Sequence, residues 1–197
     1  MERTVEEGLS PELRRYIDQR IVQASRKLYE HFTEEIRRVK EGMPKPRMAI
    51  IASKGTLDMA YPPLLLATTA RSMGLESGIF FTFYGLDIIH KKKNRSLKVA
   101  SVGNPAMPVP VPTLLGALPG MSAMATAMMK RWMDQQQVPT ISQLLELAQE
   151  SGVKLVACQM TMDVMGIKED ELISGLEFGG VATFVDYALA SSITLFI

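Results

Sequence analysis

The chain has 197 residues, 47% hydrophobic and 22% charged, enough to bury a sizeable core as one full domain plus an appendage. Lys and Arg number 22 against 21 Asp and Glu, and a formal charge of +1 gives no electrostatic case for nucleic acid or an anionic membrane as a partner. A single cysteine cannot close an internal disulfide, which excludes a disulfide scaffold and fits a reducing, cytoplasmic setting; the polar, acidic start from Met1 to Glu7 is unlike a secretory signal.

Residues 1–45 read as a helical arm. Ser10 is the predicted N-cap, and Pro11 stands at the first helical position, where its missing N–H costs nothing. Leu13, Ile17, Ile21, Leu28, Phe32, Ile36 and Val39 then recur at threes, fours and sevens among charged residues, one apolar stripe that Gly42 and Pro44 bring to an end. The stripe needs cover. The rest of the chain, a sister subunit or a recruited protein can each supply it.

From Pro46 the texture changes, and residues 46–197 are predicted to form an α/β domain. Arg47 to Ser53 is a buried strand running into a Lys54-Gly55 turn. Tyr61 to Met73 is predicted helical, entered through Pro62-Pro63 and closed by Gly74. Gly78 to Tyr84 reads as a second strand ended by Gly85, completing a right-handed βαβ unit.

A possible strand from Leu97 to Val102 then opens an irregular stretch. Pro105, Pro108, Pro110 and Pro112 forbid a continuous ladder or helix there. Pro119-Gly120 breaks the following apolar run well short of the ~20 residues of a membrane span, so none is expected. With Leu114, Leu115, Leu118 and the methionines from Met121 to Met133, the segment reads as an excursion buried against another subunit. A lid over the site or a membrane-skimming segment are the other readings.

Further on, Ile141–Glu150 is an amphipathic helix, Val153–Ala157 a strand, Thr161–Met165 a short helix, Phe184–Ala190 a helix and Ile193–Ile197 a last strand. This alternation predicts a three-layer α/β/α fold with a central, mainly parallel sheet, preceded by the arm.

In open parallel sheets, chemistry collects beyond the carboxyl ends of the strands. Three groups stand at such places: Ser53-Lys54-Gly55, Tyr84-Gly85 and Cys158. Cys158 precedes a short helix with Thr161 as its predicted N-cap, and free N–H groups at a helix start favour a thiolate, the nucleophilic form of sulfur. The opposing reading is a buried cysteine packed as a small hydrophobe. Lys54 can add charge nearby or simply be solvated, and Tyr84 can hold a ligand or pack. His90 beside Lys91-Lys92-Lys93 reads as part of a solvated loop, and His31 as a surface residue of the arm. One cysteine and two distant histidines lack metal-ligand spacing, no Walker or Gly-x-Ser-x-Gly pattern occurs, and no cofactor is expected.

The run Val153 to Ile167 around Cys158 closely resembles the cysteine segment of DsrE/DsrF-like sulfur-transfer proteins. So do Ser53 to Asp58, Gly103-Asn104-Pro105, Leu118 to Met121, Glu177 to Ala182 and the terminal strand. The resemblance spans roughly residues 47–197 and leaves the arm outside. It implies a parallel α/β fold, homo- or hetero-oligomers, and a cysteine that accepts sulfur from a rhodanese-like or TusA-like protein. Carried over by position, Cys158 is the sulfur-bearing residue. Its expected pocket, read from the residues at the strand ends, is Ser53, Lys54, Gly55, Tyr84, Gly85 and Thr161 together with the excursion. Some relatives carry a further cysteine in the excursion; this chain has none, so a two-thiol mechanism within one chain is not implied. The expected function is a sulfur relay, as carrier or sulfurtransferase. The alternative is a small-ligand-binding module or oligomeric scaffold with an inert cysteine.

Overall fold

The computed structural model describes residues 10–42, 46–100 and 120–197, within two units, residues 1–44 and 45–197. In the first, α1 (Pro11–Gly42) starts as expected: the Ser10 carbonyl accepts from the Arg14 N–H at 3.0 Å and its hydroxyl from the Leu13 N–H at 3.3 Å. Arg26–Glu30 and Arg37–Glu34 ion pairs lie along the polar side. The stripe is open to solvent, with Ile21, Leu28, Phe32, Ile36 and Val39 all more than half exposed.

The second unit is built on five parallel strands: β1 (Arg47–Ala52), β2 (Glu76–Phe81), β3 (Lys154–Cys158), β4 (Glu177–Gly179) and β5 (Ile193–Phe196), in the order β4-β3-β2-β1-β5. The helices are α2 (Leu57–Ser72), α3 (Leu86–Ile89), α4 (Met121–Gln135), α5 (Ile141–Glu150), α6 (Gln159–Met165) and α7 (Val181–Leu189). From β1 to β4 every connection steps the same way across the sheet, and right-handed crossovers therefore place their helices on one face. Only the return from β4 to β5 runs backwards, and it puts α7 on the other.

Strand residues separate accordingly. Met48, Ile50, Ala52, Ile79, Phe81, Leu155 and Ala157 join Leu64 of α2, Ile88 of α3, Leu144 of α5 and Met162 of α6 in the main core. Their alternates Phe80, Val156 and Cys158 form a second, small cluster under Phe184 of α7. The rings of Phe80 and Phe184 meet at 5.5 Å. Gly78 lets Tyr187 of α7 lie on the sheet, since a Cβ there would come within 2.8 Å of the tyrosine ring.

Several boundaries differ from expectation. α2 begins at Leu57, so Pro62 and Pro63 lie inside it rather than at its entry. Thr56 supplies the extended N-cap, and its carbonyl takes the Met59 and Ala60 N–H groups. β2 stops at Phe81, and Phe83–Gly85 is a 3₁₀ turn. Leu97–Ala100 is not a strand, because the Leu57 N–H, the Asp58 carboxylate and the Thr126 hydroxyl take up its backbone groups. Glu177–Gly179, expected only as part of a motif, is the strand β4. Residues 101–119, with Leu114, Leu115 and Leu118, lie outside the described residues. The rest of the presumed excursion is the regular helix α4, which turns Met129 and Met133 onto the main core and leaves Met124 63% exposed.

Candidate functional site

The carboxyl edge of the sheet is tied together backbone to backbone. A Cβ on Gly85 would strike the carbonyl of Ala52, and one on Gly55 the carbonyl of Tyr84, so the loops after β1 and β2 interlock through their glycines. The Thr82 N–H donates to the Ala52 carbonyl at 3.0 Å, and Ser53 gives both its N–H and its hydroxyl to the Ile197 carbonyl, at 2.8 and 2.9 Å. Phe83 holds a φ of +48°, unusual for a bulky residue, and its N–H donates to the Thr161 hydroxyl at 3.3 Å. The hydroxyls of Thr82 and Thr161 share a hydrogen bond of 3.0 Å in the interior.

Cys158 closes β3 and is itself the N-cap of α6. Thr161 is therefore not the cap expected of it. It is the third residue of α6, buried, with its hydroxyl engaged by Thr82 and Phe83. Cys158 is fully buried, a free thiol packed with Phe80, Val156 and Phe184. Its backbone neighbour on β4 is Gly179, just ahead of the start of α7 at Gly180-Val181. On the other side the register pairs Phe81 with Ala157, so Thr82 lies level with Cys158.

The predicted residues thus form a connected row rather than a single bowl. The 53–55 loop touches the 83–85 turn, and that turn is hydrogen-bonded to α6, which Cys158 caps. Lys54 is solvent-exposed and Tyr84 is 65% exposed, so neither side chain is packed into the interior. His31 is exposed on α1, as expected. His90 is not the solvated residue expected: it is 7% exposed and bridges to Leu172, and its Nδ1 accepts the Lys92 and Lys93 N–H groups.

Sequence reasoning did not single out Thr82, level with Cys158 one strand over, or Phe184, which packs on the Cys158 cluster. The Phe184–Tyr187 spacing was available as a signal of one helix face. Among the described residues no group of His, Cys, Asp and Glu could hold a metal, and no helix is long and apolar enough to cross a membrane.

At the opposite, amino edge of the strands lies a cleft of about 460 Å³ lined by Arg47, Arg71, Glu76, Lys154, Asp186 and Tyr187 among others. Its charges are largely matched: Arg47 pairs with Glu76 at 2.7 Å and Lys154 with Glu177 at 2.9 Å. The hydrogen bond to Glu76 holds the Arg47 guanidinium more firmly protonated than usual. Arg71 donates to the carbonyls of Ser151 and Leu75. Arg47 also stacks over the Tyr187 ring at 4.6 Å.

A parallel α/β domain with a lone cysteine at the end of a central strand defines the class, and comparison with known proteins narrows it. The profile of the DsrE/DsrF/DrsH-like family matches residues 44–196, and the chain belongs to that family. It is 48% identical over 161 residues to the sulfur carrier protein DsrE2 of Allochromatium vinosum, covering 79% of this chain and all of that one. The uncharacterized protein YrkE of Bacillus subtilis is 34% identical over 154 residues, 77% of this chain and 96% of its own. Two solved structures align over the whole of their chains. The ychN protein from E. coli has a TM-score of 0.46 at 16% identity and covers 79% of this chain. MTH1491 from Methanobacterium thermoautotrophicum has a TM-score of 0.42 at 13% identity and covers 78%.

Proposed function

We propose that this protein is a sulfur carrier that holds sulfane sulfur as a persulfide on Cys158 and passes it to a partner thiol. What supports the reading above all is the place of the chain's sole cysteine, at a strand-to-helix junction on the carboxyl edge of the sheet. The 48% identity to a protein named a sulfur carrier points the same way. In loading, the Cys158 thiolate attacks the outer sulfur of a donor persulfide. The donor S–S bond breaks, a Cys158 S–S bond forms, and the donor leaves as a thiolate that takes up the persulfide proton. Unloading repeats the exchange on an acceptor thiol, and no outside oxidant or reductant is needed. Rhodanese-like or TusA-like proteins are the expected donors and acceptors, in the cytoplasm.

Burial sets a condition on this chemistry. The sulfur lies beneath Phe184, so exchange requires that side chain, or α7 with it, to move aside. A homo-oligomer belongs to the same reading: Val181, Val185 and Leu189 on α7 and Phe196 on β5 are left exposed and apolar.

The same burial favours a second reading, in which Cys158 is a packing residue and the domain is a scaffold or binding module. Incubating the folded protein with polysulfide, or with thiosulfate and a rhodanese, and then measuring intact mass separates the two. A carrier gains one or more sulfur atoms that a reductant removes and that a Cys158→Ala chain never acquires. No adduct on the folded protein, with ready labelling once it is unfolded in urea, leaves the packing reading standing.

A further inference from the structure

The stripe on α1 carries an inference independent of the sulfur chemistry. Ala24 fills its gap, so that it runs Leu13, Ile17, Ile21, Ala24, Leu28, Phe32, Ile36, Val39. That is 26 residues in seven steps, about 3.7 per step and close to the 3.67 of an 11-residue repeat, so it does not ask for the left-handed supercoil of a heptad. The spacing also reads nearly the same from either end. Turned about a point between Arg26 and Lys27, Leu13 falls opposite Val39, Ile17 opposite Ile36, Ile21 opposite Phe32 and small Ala24 opposite Leu28.

Charge has the matching polarity. Residues 11–27 hold five basic and two acidic side chains, whereas residues 28–42 hold three basic and four acidic. A parallel pair sets the basic halves together, and an antiparallel pair sets each basic half against an acidic one. Arg20 and Glu35, which border the stripe on one side within two residues of mirrored positions, make no ion pair among the described residues, unlike Arg26–Glu30 and Arg37–Glu34. Size is sufficient too. A helix of 32 residues is about 48 Å long, and a strip about 10 Å wide on each of two copies comes to about 1,000 Å², the lower bound of a specific interface.

We infer that α1 pairs with α1 of a second copy of this chain, antiparallel about a twofold axis near residues 26 and 27, with the stripes face to face and Arg20 of each beside Glu35 of the other. Such a pair is self-complementary and closed, as a twofold interface must be.

Orientation is read by disulfide trapping in full-length chains carrying Cys158→Ala. Ile17→Cys chains are mixed with Ile36→Cys chains under mild oxidation, and the mixed disulfide is expected to exceed either homodisulfide several-fold. Arg20→Glu should cut the mixed yield several-fold, and adding Glu35→Arg to the same chains should restore it. Homodisulfides of Ile17→Cys in excess mean a parallel pair, and no intermolecular disulfide means that another occupant covers the stripe; either result overturns the inference. Failure of the double reversal to rescue the single one sinks the register.

Discussion

The two faces of the sheet are made from alternate residues of the same strands, yet they are different environments. One face carries Ile50, Ile79, Phe81, Leu155 and Ala157 beneath α2, α3, α5 and α6. The other carries Phe80, Val156 and Cys158, packed among the described residues by Phe184 of α7. The cause is topological. Three forward steps load one face with helices, and a single nine-residue return, about 14 Å of helix, must cross a sheet about 19 Å wide between its edge strands. Among the described residues the larger core is thereby concentrated on one side, while the cysteine lies on the side with the smaller cluster. On the proposed carrier reading, this separation would guard the sulfur from water without locking it in the core.

The largest expected effect contrasts the faces directly. Phe81→Ala empties a fully buried site in the main core and should cost about 3–5 kcal/mol in urea unfolding. Phe184→Ala removes a half-buried ring from a cluster of four and should cost about 1–2 kcal/mol. Labelling of Cys158 by iodoacetamide should run the opposite way, with Phe184→Ala raising the native-state rate at least tenfold and Phe81→Ala raising it only as far as lost global stability allows. If the two variants speed labelling equally for each kcal/mol lost, the faces open together and the contrast fails.

A smaller effect probes the seam where the faces meet. Thr161 accepts from the Phe83 N–H and shares a hydrogen bond with Thr82, and the strained Phe83 turn hangs on that hydroxyl. Thr161→Val strips partners from two groups and should cost about 1–3 kcal/mol, whereas Thr82→Val strips one and should cost about 0.5–1.5 kcal/mol. The double variant should cost no more than Thr161→Val alone, as expected for one shared interaction. Strict additivity in a denaturant double-mutant cycle means that the hydroxyls do not act as a pair.

Much of this was legible in the sequence. The apolar runs at Arg47–Ala52 and Val153–Ala157 gave away β1 and β3 because strands buried on both faces have little polar alternation to hide. The helical arm was written in its period. What stayed hidden depended on partners far along the chain. β4 is three residues long, too short for any period to show. Thr161 reads as a cap from its neighbours, but Thr82, 79 positions earlier, draws its hydroxyl inward. The burial of Cys158 follows from which face the last crossover takes, a property of strand order that local sequence does not carry.

The smallest effect tests the faces through two phenols. Tyr61, on the helix-rich side, donates its hydroxyl to the Pro139 carbonyl at 3.0 Å, whereas the hydroxyl of Tyr187, which α7 lays over Gly78, has no hydrogen-bond partner among the described residues. Burial raises both above the ordinary tyrosine value, which lies near 10, with Asp134 adding to the rise at Tyr61 and Arg47 working against it at Tyr187. A raised folded-state value means that the unfolded chain gives up its proton first. The stability held by each neutral phenol is then whole below pH ~10 and is lost as pH rises through the folded value. Tyr187→Phe should change little at pH 8, where both phenols are neutral, and should flatten part of the loss seen between pH 8 and 11. Tyr61→Phe should flatten its own share as well, but it should also cost about 1 kcal/mol at pH 8, because the Pro139 carbonyl loses its donor. Urea midpoints of the three chains at both pH values decide the matter. An alkaline loss in Tyr187→Phe as steep as in the parent chain means that the face over Cys158 is wet enough to leave that phenol unperturbed, and the contrast between a closed and a lightly covered face would then have to be drawn more sharply still.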